Sequence, residues 1–174
     1  MGWPRPSSRG NFLRGFNMPN TKAVGVAYAD PEFESVTVSG AVTVSGAVTV
    51  SGAITATSIA ASNDLGYTAA AQGTVTQLTS KSTAVTLNKP AGVITMNNAS
   101  LATATNATFT LNNSLISAND TVILTISGGQ ATPGSYNVFA NSLSAGSVSI
   151  TLRNISGGSL SEAIVINFAL IHCA

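Results

Sequence analysis

From Val36 to Ile59, small β-branched residues alternate with hydroxyl-bearing ones. The unit Val-Thr-Val-Ser-Gly-Ala occurs three times without a mismatch between Val36 and Ala53, and a degenerate fourth copy runs from Ile54 to Ile59. Six is a multiple of two, so the alternation of an extended strand carries over from one copy to the next. In a strand, Val36, Val38, Val42, Val44, Val48, Val50 and Ile54 share one face, and Thr37, Ser39, Thr43, Ser45, Thr49 and Ser51 share the other. Gly40, Gly46 and Gly52 fall on the apolar face, where a bend is easiest. Such a stretch cannot fold alone. Fixing each backbone residue costs about 1–2 kcal/mol, a buried valine returns about 1.5–3 kcal/mol, and the strand edges stay unpaired. Copies of the same stretch are the natural cover. The pattern therefore predicts a β-stalk that assembles as a homotrimer, with those seven apolar residues at the interface. Two other readings fit the same residues. One is a flexible linker, which the β-branched residues in every copy argue against. The other is a hexapeptide β-helix, of which this repeat would make only about one coil.

Beyond residue 73 the pattern changes to short strands parted by turns. The segments are Thr74–Thr79, Thr83–Asn88, Gly92–Asn97, Ala107–Leu111, Thr121–Ser127, Ser135–Ala140, Ser147–Arg153 and Ala163–Ile171. Turn clusters such as Lys89-Pro90-Ala91-Gly92, Pro133-Gly134 and Ser156-Gly157-Gly158 separate them. Val148, Ile150 and Leu152 alternate with Ser and Thr, so that strand has one wet face. Thr121–Ser127 and Ala163–Ile171 are apolar on both faces, which predicts strands that are central or covered by a neighbouring subunit. Val122, Leu124 and Val165 accordingly join the predicted oligomer interface. Eight short strands predict an all-β fold, a jelly-roll-like β-sandwich. Only Ala99–Thr105 reads as a helical turn. The chain divides into an arm and transition (1–35), the stalk (36–59), a junction (60–72) and a sandwich head (73–174).

The arm carries Arg5, Arg9, Arg14 and Lys22, four of the seven cations, with no acid before Asp30. Its prolines and glycines forbid regular structure. It reads as a basic tether that orders on a larger acidic partner, or as a leader, with Met18 as an alternative start. Asp30, Glu32 and Glu34 alternate after it. Calcium needs six to eight oxygen ligands, so an exposed acidic segment is the simpler reading.

Composition narrows the function. Only 7% of the residues are charged, against roughly 25% in an average soluble protein. The formal net charge is +1, which gives no field to steer nucleic acid, and no apolar run reaches the length of a membrane span. No secretory signal or myristoylation pattern is visible at the start. Cys173 is the single cysteine and His172 the single histidine, both near the end. Zinc needs several such ligands, and a catalytic triad needs a base held by an orienting group. The head's acids, Asp120 and Glu162, offer one conceivable carboxylate pair. No phosphate or dinucleotide loop occurs. Five Asn-x-Ser/Thr sequons, at Asn98, Asn106, Asn112, Asn119 and Asn154, are what this composition yields by chance. The reading is of a protein that is not an enzyme and uses no cofactor.

Two stretches carry a resemblance. Met18-Pro-Asn-Thr-Lys-Ala-Val-Gly-Val-Ala-Tyr-Ala-Asp-Pro31 resembles the opening of virion structural proteins of tailed phages. Gly73–Asn88, Gly92–Met96 and Ser159–Phe168 are similar to a small β-sandwich at the C-terminus of such proteins. The resemblance implies a virion surface protein, with no catalytic residue attached to it. The expected role is a cement protein or short head fibre on the capsid exterior, assembled in the host cytoplasm. Its expected partners are two further copies and the major capsid protein, with no nucleic acid and no membrane. The alternative is a tail fibre or receptor-binding tip that recognises host glycan.

Overall fold

The computed structural model describes residues 37–173. They belong to two compact units, divided between Thr57 and Ser58. In the first, the chain bends at Ser39-Gly40, Ser45-Gly46 and Ser51-Gly52, once per repeat. The sequence period is thus a structural period. No residue from 37 to 57 joins a ladder within the single chain. Val38, Val42, Val44, Val48, Val50 and Ile54 stay between 48% and 67% exposed. Val36 lies outside the described residues, as do Arg5, Arg9, Arg14 and Lys22.

The second unit is the sandwich. A 3-10 turn at Ala69–Ala71 leads into β1 (Gln72–Thr76), followed by β2 (Val85–Thr86), β3 (Ala91–Thr95), β4 (Asn106–Asn112), β5 (Thr121–Gly128), β6 (Tyr136–Ser144), β7 (Ser147–Asn154) and β8 (Val165–Ile171). All eight predicted segments contain a strand, with shifted ends. Two four-stranded sheets form, in the orders β1-β3-β8-β5 and β2-β4-β7-β6.

The winding differs from an all-antiparallel jelly roll at two edges. β1 pairs β3 in parallel, and β2 pairs β4 in parallel. From β1 to β6 the chain changes sheet at every step, so alternate strands run the same way. β7 and β8 then run back between them, β7 between β4 and β6, and β8 between β3 and β5. The β6–β7 hairpin is the one place where successive strands pair, through a tight turn with Gly146 at φ 82°. The β1/β3 pair uses facing glycines, Gly73 opposite Gly92. A Cβ on Gly92 would meet the Gly73 carbonyl at 2.6 Å and Leu87 at 2.8 Å, so the glycines admit Leu87 over the edge.

Ile94, Leu111, Ile150, Leu152, Ile164 and Ile166 are wholly buried at the centre. Alternation along β5 separates its two faces. Val122, Leu124 and Ile126 pack against this core and are half-buried, while Ile123, 47% exposed, points outward. Val165 also faces outward, half-buried, opposite Thr95. The expected helical turn at Ala99–Thr105 is absent. Leu101 makes an isolated bridge with Leu160 instead, and a tight turn with Ala104 at φ 54° follows. Among the described residues no helix is long and apolar enough to cross a membrane.

Candidate interaction surface

Most of the head's ionisable side chains hold backbone together. Lys81 is buried, and its ammonium donates to the Asn97 carbonyl at 2.6 Å and to the Glu162 carbonyl. Burial pushes its pKa below the ordinary lysine value, against the pull of the Glu162 carboxylate. Gln77, also buried, donates to the Lys81 and Thr83 carbonyls and accepts from the Asn97 amide. The loop between β1 and β2 is thereby tied to the end of β3. Lys89 donates to the Ala70 carbonyl at 2.9 Å.

Asp120 caps the start of β5. Its carboxylate accepts from the Ser117 amide at 2.8 Å, the Cys173 amide at 3.3 Å and His172 Nδ1 at 2.8 Å. The Ser117 bond is the main reason its pKa lies below the usual carboxylate range. The His172 side chain is 55% exposed, yet it is anchored to a buried carboxylate. The Cys173 thiol lies 3.9 Å from the Thr121 hydroxyl and 3.8 Å from the Ile171 carbonyl. Neither neighbour is a base, so these three residues do not form the relay that activates a thiol. At the far end of β5, Glu162 Oε1 accepts from the Ala131 amide at 2.7 Å. Its other oxygen and the Tyr136 hydroxyl are buried neighbours without a hydrogen bond of normal geometry. Burial first, and then this carboxylate, push the phenol well above its ordinary pKa. Asp120 and Glu162 thus serve opposite ends of the head as separate braces. Among the described residues no group of three or more His, Cys, Asp or Glu gathers to hold a metal.

What remains for contact is nearly uncharged surface, with Arg153 of β7 exposed on the outer face of its sheet. The outer face of the β1-β3-β8-β5 sheet presents Ile123, Ala169, Val165, Val93 and Ile171 among threonines, with no charged residue on its strands. Beside it, Leu65, Gly66 and Tyr67 lie along Ala169–His172 and enclose a groove of about 500 Å³, with the Tyr67 hydroxyl bonded to the Leu170 carbonyl. The outer face of the other sheet is rich in hydroxyls, and the Thr108 and Thr151 hydroxyls meet there at 2.7 Å. Phe139 stands next to Thr151 on that face, 39% exposed. A third surface is the side of the sandwich where edge strands β5 and β6 approach each other. Asp120–Val122 and Ala140–Leu143 line a groove of about 340 Å³ there.

The predicted site residues are thus separated. The exposed valines of residues 37–57 belong to one unit and Val122, Leu124 and Val165 to the other. The braces went unread in the sequence because each joins residues far apart in the chain. Only the rarity of charge pointed to them.

No family model, curated protein or solved structure matches the chain.

Proposed function

We propose that the protein is a structural component of a tailed-phage virion that decorates and stabilises the capsid exterior. It acts as a homotrimer bound to the major capsid protein. The observation that carries this reading is the use of charge in the head. Lys81, Lys89, Asp120 and Glu162 hold loops and strand ends, and apart from the exposed Arg153 the sheet faces left over are apolar or uncharged polar. Such surfaces suit packing against protein, not bond-making. The resemblance of residues 18–31, 73–88, 92–96 and 159–168 to virion proteins points the same way. The repeat supports the trimer, because its valines are exposed and have no partner among the described residues. Arg5, Arg9, Arg14 and Lys22 supply the grip on an acidic shell surface.

A second reading is a tail tip that recognises host glycan. Phe139 favours it, because an exposed ring among hydroxyls can stack on a sugar. Copy number in purified particles separates the two. Decoration requires copies on every capsomer, and particles lacking the protein should package DNA yet rupture at lower temperature. A protein confined to the tail, whose loss impairs adsorption and leaves heads equally robust, would refute the capsid assignment.

A further inference from the structure

The two sides of the sandwich are finished differently. On one side the edges are β1 and β2, five and two residues long, flanked by Lys89 and Pro90. Short strands, lysine and proline are how sheets protect an edge from other chains. On the other side the edges are β5 and β6, eight and nine residues long. Neither contains a charge or a proline. Each carries one bulge, at Ile126/Gly128 and at Ala140/Ser142, and among the described residues pairs with a strand on one side only.

The core is also open along that side. Eight hydrophobic residues packed on the core are only half-buried, and five of them, Val122, Leu124, Ile126, Val138 and Leu143, lie on β5 and β6. Their counterparts on the central strands, such as Ile150 and Ile166, are wholly buried. An apolar seam therefore runs between two uncharged edges of matched length, each with a single bulge.

We infer that this seam is the contact between heads, with β5 of one copy lying against β6 of the next around a closed ring of three. The flanks of the seam are different strands, so the contact is heterologous and can close into a ring. An uncharged edge suits an uncharged partner, and the chain's own second edge has the matching length and composition. The inference rests on the trimeric reading above but names a surface that the repeat does not supply.

Hydrogen exchange on the full-length chain, with light scattering on the same sample, tests it. The wild type should be a trimer in which the outward amides of both β5 and β6 exchange slowly. Thr125→Lys with Ser142→Lys puts like charges on exposed positions of the two edges without touching the core. It should speed those amides at least tenfold and leave β3 and β8 protected. Thr74→Lys with Thr86→Lys, on the guarded side, should change neither reading. A trimer with fast edge amides would overturn the inference while sparing the trimer, since the repeat alone would then hold it. A monomer with fast edges would sink both. Slow edges in a monomer would put a segment of the same chain on the seam, and a two-fold dimer would rule out the ring; either result overturns the inference.

Discussion

Asn154 offers the sharpest test of how the head is built. Its side chain is fully buried and all four of its hydrogen-bonding positions are used. Nδ2 donates to the Leu101 and Gly158 carbonyls, both at 2.8 Å, and Oδ1 accepts from the Ser156 amide at 2.9 Å and the Ser156 hydroxyl at 2.7 Å. One amide thus joins the end of β7 to the loop before β8 and to Leu101. In Asn154→Ala, two of the partners keep other bonds: Leu101 still accepts from the Leu160 amide and Gly158 from the Ser156 hydroxyl. Only the Ser156 amide is orphaned outright. An orphaned buried group costs about 1–3 kcal/mol, and the lost volume adds to it, so the expected loss is about 2–4 kcal/mol. At roughly 4 °C per kcal/mol for a domain of this size, Tm should fall by about 8–16 °C. Asn154→Asp is nearly isosteric yet should be worse at neutral pH. It turns a charged oxygen towards two carbonyls, and an unpaired buried charge costs several kcal/mol. The introduced carboxyl should have a raised pKa in the folded state, so its penalty should shrink as pH falls and the protonated acid can donate. Thermal melts followed by circular dichroism at pH 7 and pH 4 measure both effects. If Asn154→Asp melts no lower than Asn154→Ala at pH 7, or the gap does not narrow at pH 4, the side chain is not donating to those carbonyls. The same burial closes the Asn154 sequon to glycosylation in the folded head.

Three further outcomes are expected. Gly129→Ala should cost at least about 2 kcal/mol in urea unfolding, because Gly129 has φ 84° and an added Cβ would lie 2.0 Å from the Ala163 carbonyl oxygen; Gly146→Ala, at φ 82° in open space, should cost only about 1 kcal/mol. Asp120 binds fewer protons folded than unfolded, so its contribution is present above the ordinary carboxylate pKa of about 4 and is lost as pH falls through the depressed folded value; the stability gap between wild type and Asp120→Asn should therefore close in acid, and a gap constant with pH would contradict the assigned bonds. Val38→Asp, Val44→Asp and Val50→Asp together should dissociate the trimer in light scattering while the head's melting transition survives, and an unchanged mass would remove the repeat from the interface.

The strands were legible because the head's period-two alternation is little disturbed by charge. Val148, Ile150 and Leu152 of β7 read as inward in the sequence and are inward in the fold. The reading failed where alternation has no polar phase. Val122-Ile123-Leu124 is apolar throughout, and only the sheet's position decides which residues face the core. Strand direction was equally hidden, since a parallel edge arises from where the chain crosses between sheets. The helical turn expected at Ala99–Thr105 came from alanine and threonine without strand alternation; a pairing 59 residues away, Leu101 with Leu160 (160 − 101), set that segment instead. The bonds Lys81–Glu162, Asn154–Leu101 and Asp120–His172 share this cause, because each joins residues far apart in sequence. The repeat was plain as a pattern, but among the described residues it pairs with nothing.

The placement of β7 and β8 in the middle of the two sheets has a kinetic consequence. Until residues 147–171 have been synthesised, the earlier strands can form only two parallel pairs, β1 with β3 and β2 with β4, and β5 and β6 have nothing beside them in their own sheets. Parallel pairs joined by long crossovers are slow to form and weak alone. The head should thus emerge from the ribosome as an unfolded chain and close late, in one cooperative step, when the last two strands insert. The repeat has left the ribosome long before. Neighbouring chains on one messenger could meet through it while their heads are still open, and each head would then fold next to its partners.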